Sequence, residues 1–394
     1  ICAVAPHDEY IEPQRAIPVI QETDVIVCGA GPAGIAAAVA SARTGVKTTL
    51  LEVNGCLGGV WTAGLLSWIL DSNNKSGLMK EILARLSNRD ASAVYRGSVG
   101  YSVEPMKLLL EEMCLEAGVE IQLHTRVVAA SHNSKKLDLV VTESKSGRQA
   151  WRAKCFIDAT GDGDLSAQAG CQFAYGHPES GRAQPMSFIA LVTGIDPEEV
   201  RPFVRELAEP AGWAEPKGRL RAEMLKAGCE PSYAKPTLFY IRPGLFCLMA
   251  NHEYGVRGFD AADLTRASLH GRREVHRLVD GLRGLGGIWK DLQIIATPEH
   301  IGVREGRRIA GRYTVTAADL AAGTRHPDAV CEVRFPVDVH STDPSKTKGI
   351  APKKVKAKPY DIPYRSLVAR DVDGLLLAGR CISGDFIAHS SYRV

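Results

Sequence analysis

Residues 23–52 read TDVIVCGAGPAGIAAAVASARTGVKTTLLE, and this stretch decides the fold. Residues 25–27 form a short apolar run that is typical of a buried parallel strand. The glycine pattern Gly29-x-Gly31-x-x-Gly34 follows directly and leads into a helix of small residues. A second predicted strand at residues 46–51 ends on an acid, Glu52. Strand, glycine turn, helix, strand and acid in this order predict a βαβ unit that binds a dinucleotide.

The residue types of this turn match the needs of a pyrophosphate group. Gly29 permits a tight turn, Gly31 lets the backbone approach the phosphates, and Gly34 lets the helix pack closely on the strand. The helix N-terminus offers unpaired N–H groups to a phosphate, and Glu52 is placed to accept hydrogen bonds from ribose hydroxyls. A purely structural glycine turn is the alternative. We therefore expect the dinucleotide site to include Gly29, Gly31, Pro32, Ala33, Gly34, Glu52 and Val53.

The composition is that of a globular protein without a bias toward charged partners. The chain has 394 residues, which exceeds one ordinary core and predicts two or three structural units. The net charge of +3 gives no general attraction to nucleic acid or to a membrane surface. No apolar run reaches the roughly twenty residues of a membrane-spanning helix. We expect a soluble protein with no nucleic-acid partner and no membrane span.

The first residues and the cysteines bear on localisation and metal binding. Residues 1–5, ICAVA, either end a removed export signal or belong to an ordered leader. Because no charged segment precedes them, we favour a cytoplasmic location and keep export as the alternative. The ten cysteines include no Cys-x-x-Cys pair, so we expect no metal site. Residues 1–22 contain three prolines and little periodicity, which predicts an extended N-terminal arm.

Two further features shape the predicted organisation. Gly58 and Gly59 follow Glu52 closely, and their bare backbone would accommodate a second flat or phosphorylated part of the ligand, with a plain turn as the alternative. Between residues 181 and 299 the pattern changes to short strands that alternate with polar helical stretches, and no second dinucleotide pattern occurs there. This segment predicts a separate substrate domain inserted into the dinucleotide-binding domain.

Four sequence blocks together resemble a known family. They are GAGPAG with Glu52 and Gly58-Gly59; FIDATGDGDL at residues 156–165; GVREGRRIAGRYTVTAADL at residues 302–320; and IPYRSL at residues 362–367 with DGLLLAGRCISGDFIAHSSYRV at residues 373–394. In this order the blocks resemble FAD-dependent oxidoreductases with a glutathione-reductase-type flavin fold. The resemblance implies an α/β protein whose Rossmann-like FAD-binding domain has a parallel sheet with a β-meander. That domain would comprise residues 23–180 and 300–394, with an inserted α+β substrate domain at residues 181–299.

The resemblance also implies roles for individual residues around an FAD cofactor. The adenine half would lie on the turn of residues 29–34 and Glu52, and Val127 would supply backbone contacts to the adenine. The strand-end turn beside the cofactor would consist of Ala159, Thr160 and Gly161. Nearer the flavin, the resemblance points to Gly379, Arg380 and Asp385, with Asp385 resembling the acid that bonds the ribityl chain.

This chain departs from the family pattern in two places. In related flavoproteins the chain continues into a small-residue helix whose N-terminus points at the flavin, and here the sequence stops at Val394. We therefore expect that part of the flavin site to lie outside this sequence. In addition, the position five residues after Cys56 is occupied by Trp61, so we expect no redox-active disulfide of the glutathione-reductase kind.

Three residues are candidates for substrate chemistry. Arg304 and Arg307 would hold a carboxylate or another anionic substrate, because a guanidinium binds such a group with two parallel hydrogen bonds. The alternative is that they make ion pairs on a helix surface. His389 lies near the flavin by motif and would serve as acid or base, or else as a structural hydrogen-bonding residue.

The expected function is FAD-dependent oxidation of a small organic substrate, with hydride transfer between the substrate and flavin N5. A redox-neutral flavoprotein of the isomerase or hydratase type is one alternative, and an NAD-dependent dehydrogenase is another. Because the glycine pattern occurs once, no built-in NAD(P)H domain is expected. The electron acceptor would be oxygen, a quinone or a partner protein.

Overall fold

A computed structural model describes residues 10–95, 98–208, 214–352 and 355–393. The described residues contain eighteen strands, which are, in chain order, β1 (Val19–Cys28), β2 (Thr48–Leu51), β3 (Trp68–Ile69), β4 (Ser92–Tyr95), β5 (Ser98–Tyr101), β6 (Glu120–Gln122), β7 (Arg126–Asn133), β8 (Lys136–Ser144), β9 (Gly147–Asp158), β10 (Phe173–Ala174), β11 (Ile189–Thr193), β12 (Thr237–Arg242), β13 (Leu245–Met249), β14 (Gln293–Ala296), β15 (Arg308–Ile309), β16 (Ala329–Val333), β17 (Tyr360–Pro363) and β18 (Leu375–Leu377).

The same described residues contain eight α-helices. They are α1 (Pro32–Arg43), α2 (Gly77–Ser87), α3 (Val103–Glu116), α4 (Asp164–Gln168), α5 (Glu215–Lys226), α6 (Ala261–Gly284), α7 (Ala317–Ala322) and α8 (Phe386–Tyr392). Within the described ranges, no helix combines the length and the apolar composition that crossing a membrane requires.

The main sheet has seven strands and carries the dinucleotide-binding motif. Its order is β6-β2-β1-β9-β8-β7, and β18 pairs with the end of β9. Strands β6, β2, β1, β9 and β18 are parallel, whereas β7, β8 and β9 form an antiparallel meander. The predicted Rossmann-like α/β fold with a parallel sheet and a β-meander is therefore confirmed.

Both faces of this sheet are covered, as a parallel sheet requires. On one face, Ile35 and Val39 of α1 share a core with Leu109 and Met113 of α3. The other face contributes Ile26 and Phe156 to a second core, which also contains side chains of α7 and α8. The C-terminal helices thus pack against the sheet that begins at the other end of the chain.

Two strands are longer than the sequence pattern indicates. Residues 19–22, expected within the N-terminal arm, belong to β1, because Gln21 and Glu22 pair with Trp151 and Arg152 of β9. Residues 155–157 are a short apolar run in the sequence, and in the structure they form the end of the twelve-residue β9. The first nine residues, including ICAVA, lie outside the described ranges.

A second sheet is formed entirely by residues between 189 and 296. Its order is β12-β13-β11-β14, and every neighbouring pair is antiparallel. Helix α6 packs on it through Val275, Leu278 and Leu282, which share a core with Phe246. The side chain of Asp260 accepts a hydrogen bond from the Asp263 backbone and caps the start of this helix. We keep the domain boundaries at residues 181 and 299 as a proposal, which this separate core supports.

Residues 302–307 do not form a helix. The alternative that Arg304 and Arg307 lie on a helix surface is therefore wrong. Gly306 lets this segment pack closely on the turn after β9, because a β-carbon there would lie 2.2 Å from Oδ1 of Asp162. The segment also contains a buried ion pair between Glu305 and Arg308, whose side chains are 0% and 4% exposed. Arg308 donates a further hydrogen bond to the Gly176 carbonyl.

We expect Arg308→Met to lower the free energy of unfolding by about 3–5 kcal/mol, because it leaves the buried Glu305 carboxylate without its partner. The matched control is Arg283→Met, which removes an exposed pair with Asp280 and should cost less than about 1 kcal/mol. Chemical denaturation of both variants provides the measurement. Equal costs for the two variants would contradict the structural role of the buried pair.

Candidate functional site

The glycine turn between β1 and α1 is shaped by close backbone contacts. Gly29 has a φ of +97°, and a β-carbon there would lie 2.5 Å from the Ala159 carbonyl oxygen. At Gly34 a β-carbon would lie 1.8 Å from the carbonyl oxygen of Gly29. Gly31 differs, because the space where its β-carbon would project is open to 4 Å. The turn therefore presents open space at Gly31 and is closely packed on both sides of it.

Glu52 lies at the end of β2, directly under this turn. Its Oε2 accepts a hydrogen bond of 2.5 Å from the Ala30 backbone, and its Oε1 accepts bonds of 2.8 Å and 2.7 Å from the backbone and side-chain nitrogens of Asn54. The carboxylate is only 4% exposed, whereas the next side chain, Val53, is 52% exposed. Glu52 thus ties the strand end to the glycine turn, and its ribose contact stays a proposal.

The second glycine pair lies against the first turn. The Gly58 backbone nitrogen donates to the Ala30 carbonyl oxygen over 2.7 Å. Gly59 lies so close that a β-carbon on it would be 3.0 Å from Cα of Gly31. Both residues have positive φ values, +106° and +53°, which glycine adopts without strain. The structure therefore brings the two glycine segments together, as the ligand interpretation requires.

The end of β9 adds a third segment to the same place. Asp158, which is fully buried, accepts hydrogen bonds from the backbone and hydroxyl of Thr160 and from those of Ser166. This carboxylate holds the strand-end turn in place beside Gly29. Gly161 follows with a φ of +80°, and the guanidinium of Arg380 would contact any β-carbon there at 2.6 Å.

The C-terminal segment closes the arrangement. Nη1 of Arg380 is 3.0 Å from Oδ1 of Asp162, and a β-carbon on Gly379 would lie 3.1 Å from Cβ of Ala33. Gly379, Arg380 and the turn after β9 are thereby held against the start of α1.

Two other residues implied by the resemblance occupy defined positions. Val127 lies in β7, whose preceding residue Thr125 donates its backbone N–H to the carbonyl oxygen of Glu52 over 2.8 Å. Asp385 caps two helices, because its carboxylate oxygens accept hydrogen bonds of 2.7 Å from the backbones of Ala388 and Ala317. A ribityl contact by Asp385 stays a proposal, and its carboxylate already has these two backbone partners.

Arg307 is engaged in contacts within the protein. Its Nη1 donates to the Asp162 carbonyl over 3.0 Å and to Oδ1 of Asp164 over 2.9 Å. The guanidinium also lies 4.1 Å from the ring centroid of Phe259 and 5.3 Å from that of Phe173. These contacts favour a structural role for Arg307 over substrate binding.

Arg304 lies in different surroundings. Its Nη1 donates to the Pro185 carbonyl over 2.7 Å, and its Nη2 lies 3.8 Å from the sulfur of Met249. Among the described residues no carboxylate forms a salt bridge with it. Burial lowers the pKa of Arg304, although a guanidinium stays protonated at neutral pH. Arg304 and Arg307 therefore differ in their partners, although the sequence pattern predicted the same role for both.

His389 lies on α8 and is completely buried. Neither ring nitrogen has a hydrogen-bond partner among the described residues, although the Arg380 backbone is close to the ring. Burial lowers the pKa of His389 well below its ordinary value, so the ring is neutral. Its role as acid or base stays a proposal. Buried polar atoms are normally hydrogen-bonded, so the two unpaired ring nitrogens are an exception within the described residues.

A row of polar side chains near Arg304 has no signal in the sequence. Nδ1 of His252 is 3.1 Å from the hydroxyl of Tyr254, and Nε2 of His252 is 3.1 Å from Nδ1 of His340. Nε2 of His340 is 3.3 Å from a carboxylate oxygen of Asp338. Tyr233 covers the first imidazole, with ring centroids 4.1 Å apart. These residues come from separate loops, so no sequence motif connects them.

A second polar cluster has the residue types of a cation site. Ligand atoms of Glu253, His270 and Glu274 lie within 4.8 Å of one another. However, the side-chain amide of Asn251 donates to both carboxylates, at 2.7 Å and 2.5 Å. Ser232 donates two more hydrogen bonds to Glu274. Protein donors therefore already satisfy the carboxylates of this cluster.

The fold and the convergent glycine segments define the class of an α/β protein that binds a dinucleotide. The chain belongs to the FAD-dependent oxidoreductase family, whose model matches residues 24–394. It is therefore an FAD-dependent enzyme, and the NAD-dependent alternative is set aside. The family match does not extend to the glutathione-reductase-type subfamily. A comparison with curated proteins found no match.

Three solved structures illustrate the similarity of fold. A geranylgeranyl bacteriochlorophyll reductase-like protein from Thermoplasma acidophilum has 15% identity and a TM-score of 0.45, over 75% of this chain and 68% of that chain. A p-nitrophenol 4-monooxygenase from Pseudomonas putida DLL-E4 has 13% identity and a TM-score of 0.46, over 74% and 70%. The flavin-dependent monooxygenase PieE, in complex with FAD and substrate, has 15% identity and a TM-score of 0.49, over 75% and 52%. At these values the similarities carry no argument about substrate.

The residues present fit the adenine-dinucleotide part of FAD. Helix α1 begins without a side-chain cap at Gly31, so the N–H groups of its first turn are available to a phosphate. Open space lies above Gly31, and the segments around Gly59, Gly161 and Gly379 surround the same turn. We propose that Gly29, Gly31, Pro32, Ala33, Gly34, Glu52, Val53, Gly58, Gly59, Val127, Ala159, Thr160, Gly161, Gly379, Arg380 and Asp385 hold the cofactor.

The two glycines of this turn should respond differently to alanine. Gly31→Ala is expected to leave the stability of the FAD-free protein within about 1 kcal/mol, because its φ of −67° suits alanine and the methyl group meets open space. The same methyl group occupies the proposed pyrophosphate position, so FAD affinity should fall roughly tenfold or more. Fluorescence titration with FAD and denaturant unfolding measure the two effects.

Gly34→Ala is the matched comparison. Its methyl group would collide with the Gly29 carbonyl, so the free energy of unfolding should fall by more than about 4 kcal/mol even without FAD. Unchanged FAD affinity in Gly31→Ala would refute the proposed position of the pyrophosphate.

Proposed function

We propose that this FAD-dependent oxidoreductase transfers a hydride between its flavin and a small organic substrate that carries a carboxylate or another anionic group. The observation that supports this proposal is the environment of Arg304. Within the described residues its guanidinium has a backbone carbonyl and a thioether as hydrogen-bond partners and no carboxylate. A partly buried cation that forms no salt bridge with a carboxylate favours an anionic ligand.

The neighbouring arginines support this choice by contrast. Arg307 pairs with Asp164, and Arg308 pairs with the buried Glu305. Their charges are thus balanced within the protein, and binding an anion would require breaking those pairs. Arg304 requires no such exchange, so a substrate carboxylate gains a charge-assisted hydrogen bond without displacing another carboxylate.

The segment that carries Arg304 also lies against the proposed cofactor site. Gly306 packs on Asp162, and the carbonyl of Asp162 accepts a hydrogen bond from Arg307. The side chain of Asp162 in turn pairs with Arg380 of the C-terminal cofactor segment. These contacts give a short structural connection between the substrate arginine and the residues proposed to hold FAD.

The bound FAD supplies the electron chemistry by accepting the hydride from the substrate carbon. The protein residues bind the anionic group, orient the reacting C–H bond and handle the accompanying proton. Oxygen, a quinone or a partner protein would then reoxidise the cofactor. We also keep His389 in the proposal as a candidate acid or base near the flavin.

The direct test is anaerobic reduction of the flavin in the full-length protein. Small hydroxy and amino acids are compared with their neutral amides, and loss of the visible flavin absorbance is followed. We expect bleaching by a member of the acid series and little or none by its amide. Turnover that needs reduced flavin but consumes no electrons would instead favour a redox-neutral isomerase or hydratase.

Arg304→Gln should raise KM for the anionic substrate by roughly 10- to 150-fold, which corresponds to a lost charge-assisted hydrogen bond of about 1.5–3 kcal/mol. The control is Arg312→Gln, because Arg312 belongs to the same sequence block but forms an exposed pair with Asp373. Steady-state kinetics of flavin reduction provide the measurement. If both variants behave like the wild type, Arg304 does not bind the substrate anion.

A further inference from the structure

We propose that Tyr254, His252, His340 and Asp338 form a proton relay that accepts the proton released when a hydroxyl-bearing substrate is oxidised. The inference rests on the proposed function and makes it more specific, because it names a hydroxy acid as the substrate class. Arg304 would bind the anionic group, and Tyr254 would contact the hydroxyl. Tyr254 is then a catalytic residue, and the other three transmit the proton.

The four groups form one unbroken row of short contacts. The row contains the Tyr254 hydroxyl, both nitrogens of His252, both nitrogens of His340 and a carboxylate oxygen of Asp338, with separations of 3.1 Å, 3.1 Å and 3.3 Å. The two imidazoles are 2% and 4% exposed, so water does not interrupt the row. Both ends are partly exposed, which gives the proton an entrance and an exit.

The ionised carboxylate determines the direction of every hydrogen bond. Although burial raises the pKa of Asp338, its hydrogen bond with His340 and the nearby arginines lower it below the ordinary value overall, so Asp338 is a pure acceptor. Nε2 of His340 must then carry its proton, and Nδ1 accepts from Nε2 of His252. Nδ1 of His252 is left to accept the Tyr254 hydroxyl proton. The tyrosine oxygen is thereby left with lone pairs for a substrate hydroxyl.

The surroundings keep both imidazoles neutral, as this arrangement requires. Burial and the charge of Arg304 lower the pKa of His340 to about 3, and the same causes lower the pKa of His252 well below its usual range. The titratable and charged groups that face the two rings are Tyr233, Tyr254, Arg304, Asp338 and Arg393. The two cations disfavour a stable imidazolium, so a proton would pass along the row and not rest on it.

Side-chain contacts fix the relay and connect it to the cofactor segment. The His252 backbone donates to the hydroxyl of Ser232 over 2.8 Å. The His340 backbone donates to the side-chain oxygen of Gln184 over 2.9 Å, and the amide nitrogen of Gln184 donates to Ser390 of α8 over 3.0 Å. Helix α8 follows the Gly379 turn directly, so the relay is one side chain away from the proposed flavin-binding segment.

The proposed step is balanced in atoms and electrons. The substrate C–H and O–H bonds break and a carbonyl π bond forms, so the alcohol carbon is oxidised by two electrons. Bound FAD would be the two-electron oxidant that accepts this hydride. The hydroxyl proton passes to the oxygen of Tyr254 while the tyrosine proton moves to His252. Successive transfers through His340 then place one proton on Asp338, from which it leaves to solvent.

The first test needs no turnover. Protein labelled with ¹⁵N in its histidines should show both His252 and His340 as neutral rings with the proton on Nε2, from pH 8 down to about pH 5. Neutrality over this range is expected because the pKa of His340 is lowered to about 3 and the pKa of His252 is lowered well below its usual range. A ring that gains a proton near pH 6.5, or a His340 proton on Nδ1, would overturn the direction of the relay.

The second test distinguishes a relay from a purely structural network. Tyr254→Phe should lower the rate of flavin reduction by a hydroxy acid roughly 10²- to 10⁴-fold, the usual contribution of a positioned acid or base, with little change in KM. The solvent isotope effect on this step should also disappear. Tyr313→Phe is the matched control, because it removes one hydroxyl hydrogen bond, to Asp319, at a position outside the site.

The outcomes separate the relay from the proposed function. If no hydroxy acid reduces the wild-type flavin, the proposed function fails for this substrate class, and the inference falls with it. If the wild type reacts and Tyr254→Phe retains the full rate, the relay alone is refuted. Asp338→Asn provides a further check, since it should lower the rate while KM for the acid stays unchanged.

Discussion

The approach of α1 to the end of β1 is the constraint on which the site depends. At Gly34 the helix comes so near the Gly29 carbonyl that a single methyl group would not fit. This contact places the first turn of the helix beside the end of β9, where Ala159 leaves no room for a side chain on Gly29. The N–H groups of α1 are thereby directed into the space that Gly59 and Gly379 border. The shape of the proposed dinucleotide site therefore results from backbone packing, before any side chain contributes.

The sequence predicted well those features that arise within short segments. The glycine turn, the strand before it and the helix after it follow from local pattern and residue type, and the structure contains all three. The sequence did not predict features that depend on pairing with a distant strand. Residues 19–22 are an example, because they belong to the sheet through pairing with β9. The sequence also could not identify the row of Tyr254, His252, His340 and Asp338, because two loops that are 88 residues apart meet there.

The arginines of residues 304–308 show why residue type alone does not assign a role. Each carries the same cation, and their sequence neighbours are nearly the same. Burial and partners make the difference. Arg308 forms a salt bridge with Glu305 and Arg307 with Asp164, whereas Arg304 forms no salt bridge with a carboxylate among the described residues. A buried cation can bind an anionic ligand when no carboxylate of the protein forms a salt bridge with it. The proposed class of substrate therefore rests on the side-chain contacts of Arg304, which only the tertiary structure reveals.

The position of strand β18 in the chain affects when the site can form during synthesis. Its three residues join the sheet beside β9, more than two hundred residues after β9 in the chain, and the Gly379 turn follows immediately. During synthesis the N-terminal βαβ unit, the meander and β9 all leave the ribosome well before β18. The segment with Gly379 and Arg380, which we propose as one wall of the cofactor site, is therefore added more than two hundred residues after β9. Closure of the proposed site is thus a late step in folding of the described chain, and a chain that ends before β18 lacks this wall.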